Sequence, residues 1–308
     1  MSIISRTTQK MMTRRSLVNI NHSETRVLKL QEQLATGQRV NSPSDDPLAA
    51  RRAIDASSHV QKNTQYIANI TTSSSYLTET ESALTTVENI LQRANELTLQ
   101  GANDTYSQTD RAQNAIEINQ LLENMLTESN HLTNDRFVFG GNRTRTQPFT
   151  ATRNANSEIT AVAYNGNDEK ILVEANEDTL IPINETGEDI FLQTSAGTNN
   201  IFQTLINIRD HLRAGNTTAL TTDLTELKNE RSQVEVAISR NGSIQNRMDQ
   251  IEENLRSYNL QLASVKSDNI DADYAELTVQ LNIEMNSLQG ALSVGARILQ
   301  SSLLDYLG

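Results

Sequence analysis

The side chains in this sequence best suited to metal binding or proton transfer are its four histidines, His22, His59, His131 and His211. They are scattered, and none has a second histidine one helical turn away, so the imidazoles are expected to be surface groups. The HExxH pattern, which sets two zinc ligands and a general base on one helical face, is absent. Asp268, Asp271 and Asp273 begin like a calcium loop, but the glycine of its sharp turn and the closing glutamate are missing. No glycine-rich phosphate loop or dinucleotide fingerprint occurs. Cysteine is absent, which excludes disulfides, thiolate ligands and a thiolate nucleophile. Asn69-Ile70-Thr71 and Asn142-Arg143-Thr144 match glycosylation acceptors as strings, as an Asn/Thr-rich chain will by chance. The expectation is therefore a protein that is not an enzyme, with no catalytic, cofactor or metal site.

With chemistry set aside, the bulk properties bound the class. A formal charge of −12 and a pI near 4.9 disfavour nucleic acid, whose phosphates would be repelled. Aromatics are 4% of 308 residues, Trp is absent and mean hydropathy is −0.50, which argues for long solvated helices over one large globule. No apolar run approaches the roughly 20 residues of a membrane span. Arg6, Lys10, Arg14 and Arg15 near the start lack the apolar block of a cleavable secretory signal.

The elements follow from periodicity. From Ile4 to Leu34 there is no Gly or Pro, and apolar residues recur by sevens at Ile4, Met11 and Val18, then Ile20, Val27 and Leu34, beside Leu17 and Leu30. The two-residue slip between the sets predicts one amphipathic helix with a wandering seam. Gly37 is suited to close it in the left-handed region, and Asp46 to cap a second helix whose first residue is Pro47. The thin stripe that follows (Ala49, Ala50, Ala53, Ile54) sharpens from Leu77, and Leu84, Leu91, Ile118, Leu122 and Met125 predict a helical hairpin turned near Gly101. Residues 137–196 change character: Phe and Gly gather, and alternation at Thr160, Val162, Tyr164 and at Ile171, Val173, Ala175 predicts strands joined by an Asn165-Gly166 turn. After Pro182 there is no further proline. One helical pattern leads to Gly242, and Ile244, Met248, Ile251, Leu255, Tyr258, Leu262 and Val265 then repeat at 4-3 spacing. A last helix runs from Tyr274 through Leu281, Met285, Leu288, Leu292, Leu299 and Leu303.

The fold class implied is mainly α with a small inserted β domain, an elongated helical rod or coiled coil formed by both chain halves, with the N- and C-terminal helices paired. The expected domains are 1–44 with 271–308, 45–136 with 197–270, and 137–196. Each terminal helix buries too little alone to offset the backbone entropy of ordering it. The ends are therefore expected to order only when many copies pack together. For the stretch Leu77 to Leu132, packing within one chain is the favoured role.

The wording of the corner after the first helix is more specific than its capping chemistry. Leu34, Ala35, Thr36, Gly37, Arg39, Val40, Asn41, Pro43, Ser44, Asp45, Asp46, Pro47 and Ala49 resemble the signature of the bacterial flagellin family. The ending SLLDYL at Ser302 to Leu307, and FVFGG at 137–141 followed by Pro148 and Phe149, resemble that family's hook-filament junction branch. The resemblance implies a structural protein of the extracellular flagellum, exported by the flagellar type III route without a cleaved signal. The implied partners are hook-associated protein 1, flagellin, other copies of itself in a ring, and an export chaperone on the C-terminal helix, with no nucleic acid and no membrane. The subunit interface is expected along the terminal seams, at Leu17, Val27, Leu34, Leu281, Leu288, Leu292, Leu299 and Leu303. The corner residues Gly37, Arg39, Asn41, Pro43, Asp45, Asp46 and Pro47 are expected to join those seams to the rest of the chain and to neighbouring subunits. A filament subunit of the same family, or an unrelated coiled-coil adhesin or signalling rod, is the alternative.

Overall fold

The computed structural model describes residues 9–192 and 200–307, with side chains over 11–192 and 200–297. The chain is mainly helical with a small β region in its middle: α1 (Gln9–Thr36), α2 (Pro47–Ala102), α3 (Gln108–Ser129), β1 (Leu132–Thr133), β2 (Arg136–Phe137), β3 (Phe149–Arg153), β4 (Ile159–Tyr164), β5 (Leu172–Asn176), β6 (Thr179–Pro182), a π-helical turn (Glu188–Leu192), α4 (Ile201–Ala214), α5 (Thr217–Ile270) and α6 (Tyr274–Leu307). Two compact units divide it, residues 1–62 with 257–308 and residues 63–256. The first turn of the expected N-terminal helix, from Ile4, lies outside the described residues.

In the unit of residues 63–256 the helices keep strict heptad seams that the apolar pattern understates. Along α2 a buried seam runs through Ile70, Ser73, Leu77, Thr80, Leu84, Val87, Leu91, Ala94 and Thr98 in alternating steps of three and four, with Ala83, Ile90 and Leu97 buried beside it. The hydroxyls among them donate to the carbonyl four residues back, Ser73 to Asn69 at 2.8 Å, Thr80 to Tyr76 at 2.9 Å and Thr98 to Ala94 at 2.6 Å, so each is satisfied without a partner helix. In α5 the same spacing runs through Leu220, Asp223, Leu227, Glu230, Val234, Ala237, Asn241, Met248 and Leu255. Asn241 donates to the carbonyl of Leu77 at 2.9 Å. The boundary expected at Gly242 is thus absent: α5 is continuous, because a polar residue occupies the seam position that an apolar count leaves empty. Tyr258 and Val265, read from spacing as further seam residues, are 45% and 44% exposed.

The middle strands form three two-stranded antiparallel ladders, β1 with β2, β3 with β4 and β5 with β6. This corrects the expected Asn165-Gly166 hairpin. Tyr164 faces Phe149 across β3–β4, while Val173 faces Ile181 across β5–β6, and neither Asn165 nor Gly166 has the positive φ of a type I′ turn. Asn165 instead donates to the Pro148 carbonyl at 2.7 Å and carries the β3 pairing one residue on. The two-residue turn with positive φ at both positions is Asn134-Asp135, between β1 and β2 (φ 50° and 59°).

Burial of the scarce aromatics orders this region. Phe139, Phe149, Phe191 and Phe202 are each at most 1% exposed, and Phe149 lies 5.0 Å from Tyr164, 5.2 Å from Phe191 and 5.4 Å from Phe202 between ring centroids. These contacts knit β3, β4, the π turn and α4 onto the core of α2 and α3 residues. Arg111, 9% exposed, donates to the carbonyls of Gly101 (2.8 Å) and Asn103 (3.0 Å), satisfying acceptors that the end of α2 leaves open. Replacing Phe191 with Ala is expected to cost about 3–5 kcal/mol in urea unfolding of the whole chain.

One buried carboxylate makes this unit sensitive to pH. Glu230 is 5% exposed and accepts a hydrogen bond from Thr204 Oγ1 at 2.5 Å, while its Oε2 has no partner among the described residues. Burial pushes its carboxyl up from 4.5 to about 7; the Thr204 hydroxyl opposes this, and nearby Glu226 and Asp223 add to it. The folded state therefore holds this proton more tightly than the unfolded chain. The stabilisation is complete below the ordinary glutamate value and is lost as pH climbs through about 7. Buried Asp223, also raised, acts in the same direction although its bond to His211 opposes the shift. Urea unfolding is expected to show a stability on the order of 3 kcal/mol lower at about pH 8 than at about pH 5, with Glu230→Gln removing most of the difference.

Candidate functional site, the terminal helices and their corners

Within the unit of residues 1–62 and 257–308, the α1–α2 corner is built by its two aspartates. Asp45 Oδ2 accepts from the backbone N–H groups of Asn41 (3.2 Å) and Ser42 (3.0 Å), and Lys29 Nζ donates to its Oδ1 at 2.7 Å. The Lys29 ammonium, followed by those backbone donors, holds the Asp45 carboxyl below its usual range. Asp46 Oδ1 accepts from the Ala49 N–H at 3.0 Å, so Asp46 caps α2, with Pro47 as its first residue. That bond, with the Arg39 guanidinium 3.4 Å away, lowers Asp46 as well. Gly37 closes α1 at φ 70°, its N–H donating to the Gln33 carbonyl at 2.9 Å. Pro43 is exposed in the intervening turn.

This corner is hydrogen-bonded to the turn between α5 and α6. The Arg39 N–H donates to the Ile270 carbonyl at 2.7 Å and the Ala272 N–H to the Gly37 carbonyl at 3.0 Å, around an antiparallel bridge of Gln38 with Asp271. Arg39 Nη2 adds a bond to the Asn269 carbonyl at 2.8 Å. Behind these contacts Val40, Ala49, Ala50, Ala53 and Ile270 form a small apolar cluster. Two of the three aspartates that suggested a calcium loop have other partners. Asp273 accepts from the Ala275 and Glu276 N–H groups at the start of α6, Asp271 accepts from Ser267 Oγ, and no cluster able to hold a metal occurs among the described residues.

From this junction α1 and α6 run back as a pair, and here the wandering seam resolves into two stripes. The less exposed positions of α1 are Thr13, Ser16, Ile20, Ser23, Val27, Leu30 and Leu34, a regular 3-4 repeat, together with Gln33, whose amide donates to the Arg39 carbonyl at the corner. Those of α6 are Leu277, Leu281, Glu284, Leu288, Ala291 and Gly295, at the same spacing. A Cβ on Gly295 would stand 3.1 Å from Ile20 Cδ1, and Arg26 Nε bonds Glu284 Oε1 at 2.9 Å. The intramolecular seam therefore does not slip; small and polar residues fill half of it. The apolar residues that produced the apparent slip lie outside it, with Met11 60%, Leu17 52%, Val18 46% and Leu28 59% exposed on α1, and Val279 59%, Ile283 61%, Met285 49%, Leu292 51% and Val294 55% on α6.

The residues expected at the subunit interface thus divide. Val27, Leu34, Leu281 and Leu288 lie in the seam within the chain, Leu17 and Leu292 belong to the exposed stripe, and the side chains of Leu299 and Leu303 lie outside the described residues. Sequence reasoning missed Met12, Leu28, Val279, Ile283 and Val294; the signal for them was large apolar side chains off the heptad. In the structure α1 and α6 are paired helices, and the shared seam and the corner bonds give each a partner that neither has alone.

The corner offers a direct test. A Cβ at Gly37 would lie 2.7 Å from Tyr274 Oη and would impose positive φ on an L-residue. Gly37→Ala is expected to destabilise the helix pair by about 1–3 kcal/mol, read as faster amide exchange in residues 9–36 and 274–297. Tyr274→Phe should recover part of the loss by removing the clashing oxygen.

Residues 4–144 match the bacterial flagellin N-terminal helical region. Over 183 residues, 59% of this chain and 55% of the relative, the sequence is 32% identical to flagellar hook-associated protein 3 of Escherichia coli (strain K12). Over 187 residues, 60% of this chain and 56% of the relative, it is 29% identical to flagellar hook-associated protein 3 of Salmonella typhimurium. The chain thus spans little more than half the length of these two relatives. Among solved structures it is similar in fold to flagellar hook-associated protein 3 from Legionella pneumophila, with a TM-score of 0.61 at 15% identity over 69% of this chain and 97% of that one. The family match takes in the corner and the helices on either side of it, so over residues 4–144 the chain is similar to the bacterial flagellin N-terminal region.

Proposed function

We propose that the chain is a structural component of the bacterial flagellum, without enzymatic activity, that joins the hook, through hook-associated protein 1, to the flagellin filament. The observation that carries this reading is the pair of stripes on the terminal helices. One joins α1 to α6, and the other presents a run of large apolar side chains on both helices, which suits a subunit finished by contact with others. Residues 1–44 with 271–308 are the assembling part, 45–136 with 197–270 its helical support, and 137–196 the small β domain. In this role Leu17 and Leu292 meet neighbouring copies in a ring, together with Leu299 and Leu303, while Val27, Leu34, Leu281 and Leu288 hold the pair in shape. The corner from Gly37 through Arg39, Asn41, Pro43, Asp45 and Asp46 to Pro47 sets the direction in which the pair leaves the helices it joins. An export chaperone shields the apolar face of α6 before flagellar type III secretion, which requires no cleaved signal.

Fluorescent labelling of the protein on intact flagella is expected to mark a short zone at the hook-filament boundary; labelling along the whole filament would make it a filament subunit instead. Substitution separates the stripes. Leu17→Ser with Leu292→Ser should leave the helicity and unfolding midpoint of the isolated chain within about 0.5 kcal/mol of the parent, since both sites are exposed, while abolishing motility with the hook intact. Val27→Ser should melt the pair itself.

A further inference from the structure

We propose that copies of this chain join head to tail through oppositely charged ends of the α1–α6 pair; this rests on the reading that the terminal helices assemble, and names the contact. The N-terminal 23 residues hold four cations and no acidic residue, leaving 22 cations against 38 anions in the rest of the chain. On α1 the exposed Arg14 and Arg15 stand beside exposed Met11, Met12 and Val18. Neither arginine has an ion-pair partner among the described residues. On α6 at the same end, residues 285–308 hold one cation, the exposed Arg297, and one acidic residue, Asp305.

The corner end has the opposite character. Between 266 and 284 the chain carries Asp268, Asp271, Asp273, Glu276 and Glu284 against one cation, Lys266, and the Lys29 and Arg39 of the corner are paired with Asp45 and Asp46. Glu284 is paired with Arg26, whereas Asp268 and Glu276 are exposed, with no cation bound among the described residues. Tyr274 (57% exposed) and Val279 (59% exposed) lie among them. Each end is therefore an apolar surface with charge, of opposite sign to the other.

The two ends cannot neutralise each other within one copy. From Arg15 to the end of α1 at Thr36, a rise of 1.5 Å per residue sets them roughly 30 Å apart along the pair, well beyond the screening length of about 8 Å at physiological salt. Between copies they can meet, and a contact of one patch with a different patch is heterologous: repeated, it closes a ring or extends a filament. The charges steer and fix register, and the apolar groups bring buried area. An anionic lipid surface would also attract Arg14 and Arg15, but the chain behind them carries the excess of anions, which such a surface repels.

The test is charge reversal in the full chain, followed by sedimentation velocity at low and high salt. Arg14→Glu with Arg15→Glu, and separately Asp268→Lys with Glu276→Lys, are each expected to weaken self-association on the order of tenfold or more. All four together should restore it. Far-UV circular dichroism of each variant confirms that the helices persist, and the four-fold variant keeps the test valid if either pair of changes perturbs folding. Self-association indifferent to salt and to both reversals, or left unrestored by the combination, would overturn the head-to-tail contact while leaving assembly through the apolar stripe in place. A chain that is monomeric at every concentration and salt would overturn both. Binding to phosphatidylglycerol vesicles that is lost with Arg14→Glu and Arg15→Glu, while self-association is unchanged, would assign the basic patch to a lipid surface.

Discussion

The terminal unit depends on one short piece of backbone pairing between segments some 230 residues apart. Arg39 with Ile270, Gly37 with Ala272, and the guanidinium of Arg39 with Asn269 join the α1–α2 corner to the α5–α6 turn. Closing so long a loop costs entropy that grows only slowly with length, so a few well-placed bonds and a small apolar cluster suffice once the rest of the chain is folded. These bonds set the register of α1 against α6. That register decides which apolar residues are covered within the chain and which stay exposed. Gly37 and the two aspartates matter because they give the corner the shape that lets the pairing form.

The helices share a way of being specific without being strongly apolar. Their seams keep the heptad, but a large share of the positions are Ser, Thr, Asn or carboxylate. The buried hydroxyls along α2 return to their own helix, so they satisfy themselves and add little attraction. Asn241 on the Leu77 carbonyl and Glu230 on Thr204 reach across to a neighbouring helix and specify one alignment. Such a seam gives direction at modest stability. On α1 and α6 it leaves large side chains free to serve a second face, which a fully apolar seam would have used.

The middle region is built on the opposite principle. Nearly all of the chain's few phenylalanines are spent in one cluster where β3, β4, the π turn and α4 converge, and its contacts hold a ladder that would not persist as an isolated hairpin, while β5–β6 packs on a separate cluster with Ile70, Leu77, Met248 and Leu255. The strong packing therefore lies in the unit of residues 63–256, while the terminal unit is held by caps, a polar seam and backbone bonds.

Much of this was legible in the residues. The long helices, the hairpin turn near Gly101, the closure at Gly37 and the cap at Asp46 followed from periodicity and from the conformational demands of Gly, Pro and Asp, which act over a few neighbouring residues. The family likeness was carried by the wording of the corner. What sequence could not show was pairing. Asn165-Gly166 has the composition of a turn, yet β4 belongs with β3 because Phe149 and Tyr164 pack together. Gly242 looked like a boundary because Asn241 holds a seam position that apolar counting passes over. The apparent slip in α1 was two stripes superposed, and only the positions covered by α6 separated them. Local rules determine where a helix begins and ends; which of its faces is covered is set by a partner more than 200 residues away, and that depends on tertiary packing.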